Sequence, residues 1–241
     1  MAQVQKNSGT VNGVTTIAPT LGSATTAGNS ILLFVSSAGT LTTPAGFTSR
    51  SPQVNLQGCY LFDKLVASGN ATDTPSMTQG GTFNAIWFIA EYSGITAFRN
   101  SNGANANVSP HNVVYTTGTV TPAAGATLLV GYVGFTGSTQ TATYAAGDPQ
   151  GWTNSFVSQQ SLLQTGTVAS GRDSLACGWS AFQVTANGST AYSTGALVSC
   201  STSSAAPHRI ISSYAHSVAA ATKGIPLFGM QRRFFTRRIN R

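Results

Sequence analysis

Charge is what this sequence has least of. Only 7% of its 241 residues are charged, twelve Lys+Arg against five Asp+Glu. Charge this sparse excludes a charge-laced coiled coil, a polyampholyte linker and most solvent-exposed helical architectures. No run approaches the roughly 18 consecutive apolar residues of a membrane span. The opening MAQVQKNSGTVNGV has no apolar stretch behind a basic one, so neither an export signal nor a bilayer anchor is expected. Cysteine is scarce and odd in number: Cys59, Cys177 and Cys200, without CxxC spacing. That suits thiols in a chain made in a reducing cytosol, with a Cys177–Cys200 bridge as the alternative. The sequons at Asn70, Asn107 and Asn187 are then accidents of a composition rich in Asn, Ser and Thr.

What is present is apolar and small. Hydrophobic residues make up 41% of the chain, enough for the core of one large domain or two small ones. Gly, Ser, Thr, Ala and Asn supply the polarity, and Thr, Val, Tyr and Phe recur in short bursts between Gly and Pro turns. The chain therefore reads as all-β. The clearest strands are 31–35, 59–66, 85–92, 127–135, 175–184 and 208–214, with weaker ones at 11–17, 113–120, 156–163 and 191–199; about eight to ten strands are expected. Turn chemistry fills the gaps, at Pro44-Ala45-Gly46, Ser68-Gly69-Asn70, Gly80-Gly81, Asn102-Gly103, 147–151 and Asn187-Gly188. The run 85–92 is apolar on both faces, as in a central strand, whereas 60–67 has one drier face. Strands of both kinds suit an antiparallel β-sandwich, jelly-roll-like, with two sheets face to face.

A weak internal echo points to a two-part build. Ala27-Gly28-Asn29-Ser30-Ile31-Leu32-Leu33-Phe34-Val35 is matched by Ala124-Gly125-Ala126-Thr127-Leu128-Leu129-Val130-Gly131-Tyr132. Pro44-Ala45-Gly46-Phe47-Thr48 is likewise matched by Pro149-Gln150-Gly151-Trp152-Thr153. With no linker of changed composition between them, these are expected to be two loosely similar halves of one sandwich domain, residues 1–218.

From residue 219 the pattern changes to a small-residue hinge and then an arm in which Phe228, Arg232, Arg233, Phe234, Phe235, Arg237, Arg238 and Arg241 alternate aromatic and cationic character. Five of these arginines lie within 232–241, where there is no acid, so the arm carries +5 of the formal +7 and the body only +2. A nearly neutral body offers no basic face to a phosphate backbone, and the arm reads as a docking element. Its Arg forks and Phe anchors favour a groove on a partner protein over nucleic acid.

Catalytic patterns do not assemble. Asp63, Asp73, Glu91, Asp148 and Asp173 are scattered, and His111, His208 and His216 stand in no metal-ligand spacing. There is no Gly-x-Ser-x-Gly elbow and no phosphate loop with a following Lys and helix. No catalytic residue, metal or cofactor is expected. Glycan contact is conceivable through Trp152 in its Pro-x-Gly turn and through Asn102 and Asn105 in an exposed segment, 100–107, read as a turn tip; Trp87 and Trp179, inside apolar runs, read as core.

The series Gly28-Asn29-Ser30-Ile31-Leu32-Leu33-Phe34-Val35, then Pro44-Ala45-Gly46-Phe47-Thr48, then Tyr60-Leu61-Phe62-Asp63-Lys64, then Ile86-Trp87-Phe88-Ile89-Ala90-Glu91-Tyr92-Ser93-Gly94 resembles a β-sandwich module of bacteriophage virion proteins and some bacterial surface proteins, over roughly residues 10–218. That resemblance implies a structural or adhesive role without catalysis. The expectation is a virion protein made in the host cytoplasm and displayed as capsid decoration, head fibre or tail component. The arm would join it to other capsid or tail subunits, and a trimer or ring is expected because strand edges need covering. The alternative is a carbohydrate-binding module that adheres to a host surface glycan.

Overall fold

In a computed structural model the described residues are 1–37, 39–51, 58–69, 73–105, 113–137, 142–144, 153–165, 174–200 and 206–217. They are all-β. In chain order the strands are β1 (Ala2–Ile17), β2 (Ser30–Ser37), β3 (Thr48–Ser49), β4 (Cys59–Lys64), β5 (Met77–Ser93), β6 (Ile95–Asn105), β7 (Val113–Thr116), β8 (Gly125–Gly137), β9 (Ala142–Tyr144), β10 (Val157–Thr165), β11 (Ser174–Ala186), β12 (Gly195–Cys200) and β13 (Ala206–His216). Two five-stranded antiparallel sheets face one another as a β-sandwich, and a small sheet β7-β12-β9 lies beside β8, β11 and β13.

The first sheet runs β1-β5-β2-β4-β3 and the second β6-β13-β8-β11-β10. Each is built from one continuous half of the chain, and the order is the same if β6, β8, β10, β11 and β13 are matched to β1, β2, β3, β4 and β5. Gly94 makes the passage between the sheets. Its φ of +75° is a conformation that side chains rarely adopt, and a Cβ there would sit 2.8 Å from Ser217 Oγ. Residues 149–152 of the second echoed pair lie outside the described residues, whereas the first pair falls on β2 and β8, the central strand of each sheet. They are out of phase by one residue. Leu32 and Phe34 of β2 enter the core between the sheets, whereas in β8 it is Leu128, Val130 and Tyr132 that do so, not Leu129. With a side-chain period of two, a one-residue offset exchanges the faces.

The core between the sheets is aromatic. Phe34 stacks on Tyr132 at 5.3 Å and on Trp179 at 5.7 Å, while Phe88 and Tyr92 meet those same rings edge-on at 6.1 and 6.4 Å. Such pairs contribute about 0.5–1.5 kcal/mol each beyond the area they bury. A second cluster covers the outer face of the first sheet, where Ile31, Leu33, Val35, Trp87 and Ile89 pack with Leu41, Phe47 and Met77. β2 and the second half of β5 are thus buried on both faces, which is why they carry unbroken apolar runs.

Two turns expected from composition are strand. Asn102-Gly103 lies inside β6, as do residues 100–105 of the segment read as an exposed tip. β6 forms because β13 supplies a backbone ladder, Ile211 opposite Asn102 and Ser212 opposite Ser101. Its amides also find carbonyl partners, Asn102 Nδ2 donating to Thr119 O at 2.9 Å and Asn100 Nδ2 to Thr121 O at 3.3 Å. Gly80-Gly81 lies within β5, where the pairing with β1 jumps from Val14–Phe83 to Thr16–Thr78. The glycines there absorb an irregularity in a continuous strand rather than reversing it.

Candidate functional site

The two open edges of the sandwich are treated differently. At the edge where β3 and β4 face β6 and β13, the sheets are tied together. Asp63, on the core face of β4, is 1% exposed and accepts a hydrogen bond from Arg50 Nε at 2.9 Å. The guanidinium lies 4.2 Å from the centre of the Phe98 ring, and Phe98 meets Tyr214 edge-on at 5.6 Å. Ser101 Oγ adds a bond to Arg50 O at 2.8 Å. Asp63 Oδ1 and the Tyr214 hydroxyl are buried without a well-formed hydrogen bond, yet lie near enough to influence one another. Burial pushes the Asp63 pKa up and Arg50 draws it part of the way back, leaving it raised. Burial, followed by the Asp63 charge, raises Tyr214 well above the usual phenol range.

Two further carboxylates hold loops. Asp73 accepts from Thr25 Oγ1, Lys64 Nζ, Ser68 Oγ (2.6 Å) and the amides of Ser68 (2.9 Å) and Gly69 (3.1 Å). Burial opposes its ionisation, but Lys64, Ser68 and Thr25 outweigh burial and the pKa falls. Glu91, fully buried, accepts from Gln5 Nε2 at 2.6 Å, Asn29 Nδ2 at 2.6 Å and the Thr26 amide at 2.8 Å. Here too burial is outweighed, by Gln5, Thr26 and Asn29, and the pKa is lowered. All three carboxylates are thereby committed to structure. Asp148 and Asp173 lie outside the described residues.

The opposite edge, between β1 and β10, stays open. There a cleft of about 320 Å³ is lined by Gln3, Tyr92, Val157, Gln159, Phe182 and Gln183, over a floor of Leu128 and Ala181. Both edge strands are bulged beside it. In β1 the register skips Val4, so Gln3 pairs with Tyr92 and Gln5 with Glu91; neighbours on β5 point to opposite faces, and the bulge turns Gln3 toward the core side. In β10 the register skips Gln159, whose carbonyl accepts from Lys6 Nζ at 2.6 Å across the gap. Gln3 Nε2 donates to Tyr92 OH at 3.3 Å, and Gln159 Nε2 to Val157 O at 3.1 Å. Val157 is 60% exposed, and none of the lining side chains is charged.

The residues singled out by sequence do not gather at this cleft. Asn102 and Asn105 are on β6, at the opposite edge of the second sheet from β10, and the Asn102 amide is taken by Thr119 O. Trp152 lies outside the described residues, as does the whole arm with Phe228, Arg232, Arg233, Phe234, Phe235, Arg237, Arg238 and Arg241. Trp87 and Trp179 are buried. Cys59 is a buried thiol, and the side chains of Cys177 and Cys200 lie outside the described residues. His111 also lies outside them, and His216 is half-buried, its Nδ1 3.0 Å from Ser217 O. Among the described residues no group of three or more His, Cys, Asp or Glu side chains comes together as a metal site. Among the described residues no helix is long and apolar enough to cross a membrane. Nothing in the sequence marked Gln3, Gln159 and Gln183, because the bulges that aim Gln3 and leave Gln159 unpaired have no signature in residue type.

No protein-family model, no curated protein and no solved structure matches this chain.

Proposed function

We propose that this chain is a non-enzymatic structural protein of a bacteriophage virion. It would be made in the host cytoplasm, displayed on the particle as capsid decoration, head fibre or tail component, and attached by its C-terminal arm to capsid or tail subunits. The observation that carries the reading is the use of the acids. Asp63 holds Arg50, which meets Phe98 and Ser101 of the second sheet, and Asp73 and Glu91 fix loops, so these carboxylates serve rigidity. The likeness of segments 28–35, 44–48, 60–64 and 86–94 to virion sandwich modules supports it. So does a charge distribution that puts +5 of +7 in the last ten residues, next to Phe234 and Phe235. Fork-shaped Arg donors beside aromatic anchors are the usual hot spots of a protein groove.

Deleting residues 225–241 tests the proposal. The truncated protein is expected to keep its circular dichroism spectrum and melting transition and to disappear from purified particles assembled in its presence, as followed by immunoblot. Incorporation at the full-length level would sink it. The mass of the full chain and of a chain ending at Thr222, each in low and high salt, then separates an arm that joins copies into a trimer or ring from one that waits for a different subunit.

A further inference from the structure

We infer that the cleft between β1 and β10 is a binding site for a neutral saccharide, a function separate from attachment through the arm. Its chemistry is the first reason. Gln3, Gln159 and Gln183 bring amides, each donor and acceptor at once, and Tyr92 brings a hydroxyl. A sugar hydroxyl has the same dual character, so each amide can satisfy it in either sense. The exposed Val157, together with Leu128 and Ala181 of the floor, supplies apolar surface for the C–H face of a pyranose ring. No lining side chain is charged, and the neighbouring Lys6 ammonium is engaged by the Gln159 carbonyl, so the lining itself offers a charged ligand no counter-charge.

Shape is the second reason. About 320 Å³ is at the small end of ligand clefts, about 300–1,000 Å³, and suits one or two sugar rings. The contrast between the edges is the third. At one edge Arg50, held by Asp63, meets Phe98 and Ser101 of the second sheet, whereas at the other the sheets meet through Lys6 and the carbonyl of Gln159, with a bulge in each edge strand. Bulges are concentrated at sheet edges and beside sites, where they re-aim side chains, and they obstruct the straight ladder that an added peptide strand would need. A small ligand fits this edge better than a strand.

The experiment is a ¹H–¹⁵N titration of the full chain with maltohexaose, cellohexaose, chitohexaose and mannohexaose, and with an oligogalacturonate of the same length as the charged control. The expected result is saturable shifts at Gln3, Val157, Gln159 and Gln183 with at least one neutral oligosaccharide, and weaker or no binding of the oligogalacturonate. Gln183→Ala should lower the affinity about fivefold, the loss of one hydrogen bond. Val157→Asp should lower it at least as much, since an unpaired carboxylate would enter the cleft. Both positions are exposed, so both variants should melt like the parent. Absence of shifts with every neutral sugar, shifts confined to other surfaces, or equal binding of the acidic oligomer would each overturn the inference. None of these outcomes bears on particle incorporation, which fails or succeeds with the arm.

Discussion

Replacing Arg50 by Met removes the guanidinium that faces Asp63 while keeping a long apolar stem over Phe98. Asp63 is 1% exposed and Arg50 23% exposed. Breaking a fully buried pair costs about 3–5 kcal/mol and a fully exposed one about 0–1 kcal/mol, so a pair with one partner sealed and the other partly open should cost about 2–3 kcal/mol at pH 7. The dependence on pH has a definite sign. Asp63 has a raised native pKa, chiefly from burial, so the folded protein binds its proton more readily than the unfolded chain does. Its contribution to stability is present below the unfolded carboxylate value and is lost as pH rises through the native one. Without Arg50 the native pKa climbs further, and stability goes on falling with pH after that of the parent has levelled. The gap between the two proteins should therefore be small near about pH 4, close to the unfolded value, and widest at neutral pH. Urea unfolding from pH 4 to 8, extrapolated to water, measures it. A loss of equal size at every pH would refute the reasoning, because it would mean that Arg50 acts through packing alone. The double variant Arg50→Met with Asp63→Leu provides a control, since replacing both charges by apolar groups should bring stability back to within about 1 kcal/mol of the parent.

Two further perturbations follow from the same structure. Asp73 and Glu91 have lowered pKa values, so their stabilisation is present above the unfolded values and lost as pH falls through the native ones, opposite in sense to Asp63; Glu91→Gln should flatten the acid limb of the stability curve, and an unchanged limb would show that Gln5, Thr26 and Asn29 do not favour its charge. Gly9→Ala would place a Cβ 2.5 Å from the Trp87 ring, and the forced shift should cost about 1–3 kcal/mol in urea unfolding and alter the tryptophan emission. A neutral outcome would mean that Trp87 can move without loss.

Several features were legible because they depend on composition and short-range pattern alone. The nearly continuous apolar run of residues 85–92 announced a strand covered on both faces, and it is one. The burial of Trp87 and Trp179 followed from their places inside the runs 85–92 and 175–184. β6 was not legible. Asn100, Ser101, Asn102 and Gly103 are poor strand formers in isolation, and their pairing is decided by β13, more than a hundred residues away in sequence. Nor was the edge cleft, since Gln3 and Gln5 have the same parity in a regular strand and only the skipped residue Val4 sends them to opposite faces.

The sequence by itself determined that the chain is all-β, where most of its strands lie, and that its body is almost neutral with a cationic end. These are properties of residue type and period, which act locally. The tertiary structure decided which half of the chain builds which sheet, that both sheets share one strand order, and that Asp63 is sealed against Arg50 at one edge while amides gather at the other. Those outcomes depend on register and bulges. Register is set by the packing of distant strands against one another, and a shift of one residue exchanges core for surface without changing a letter of the sequence.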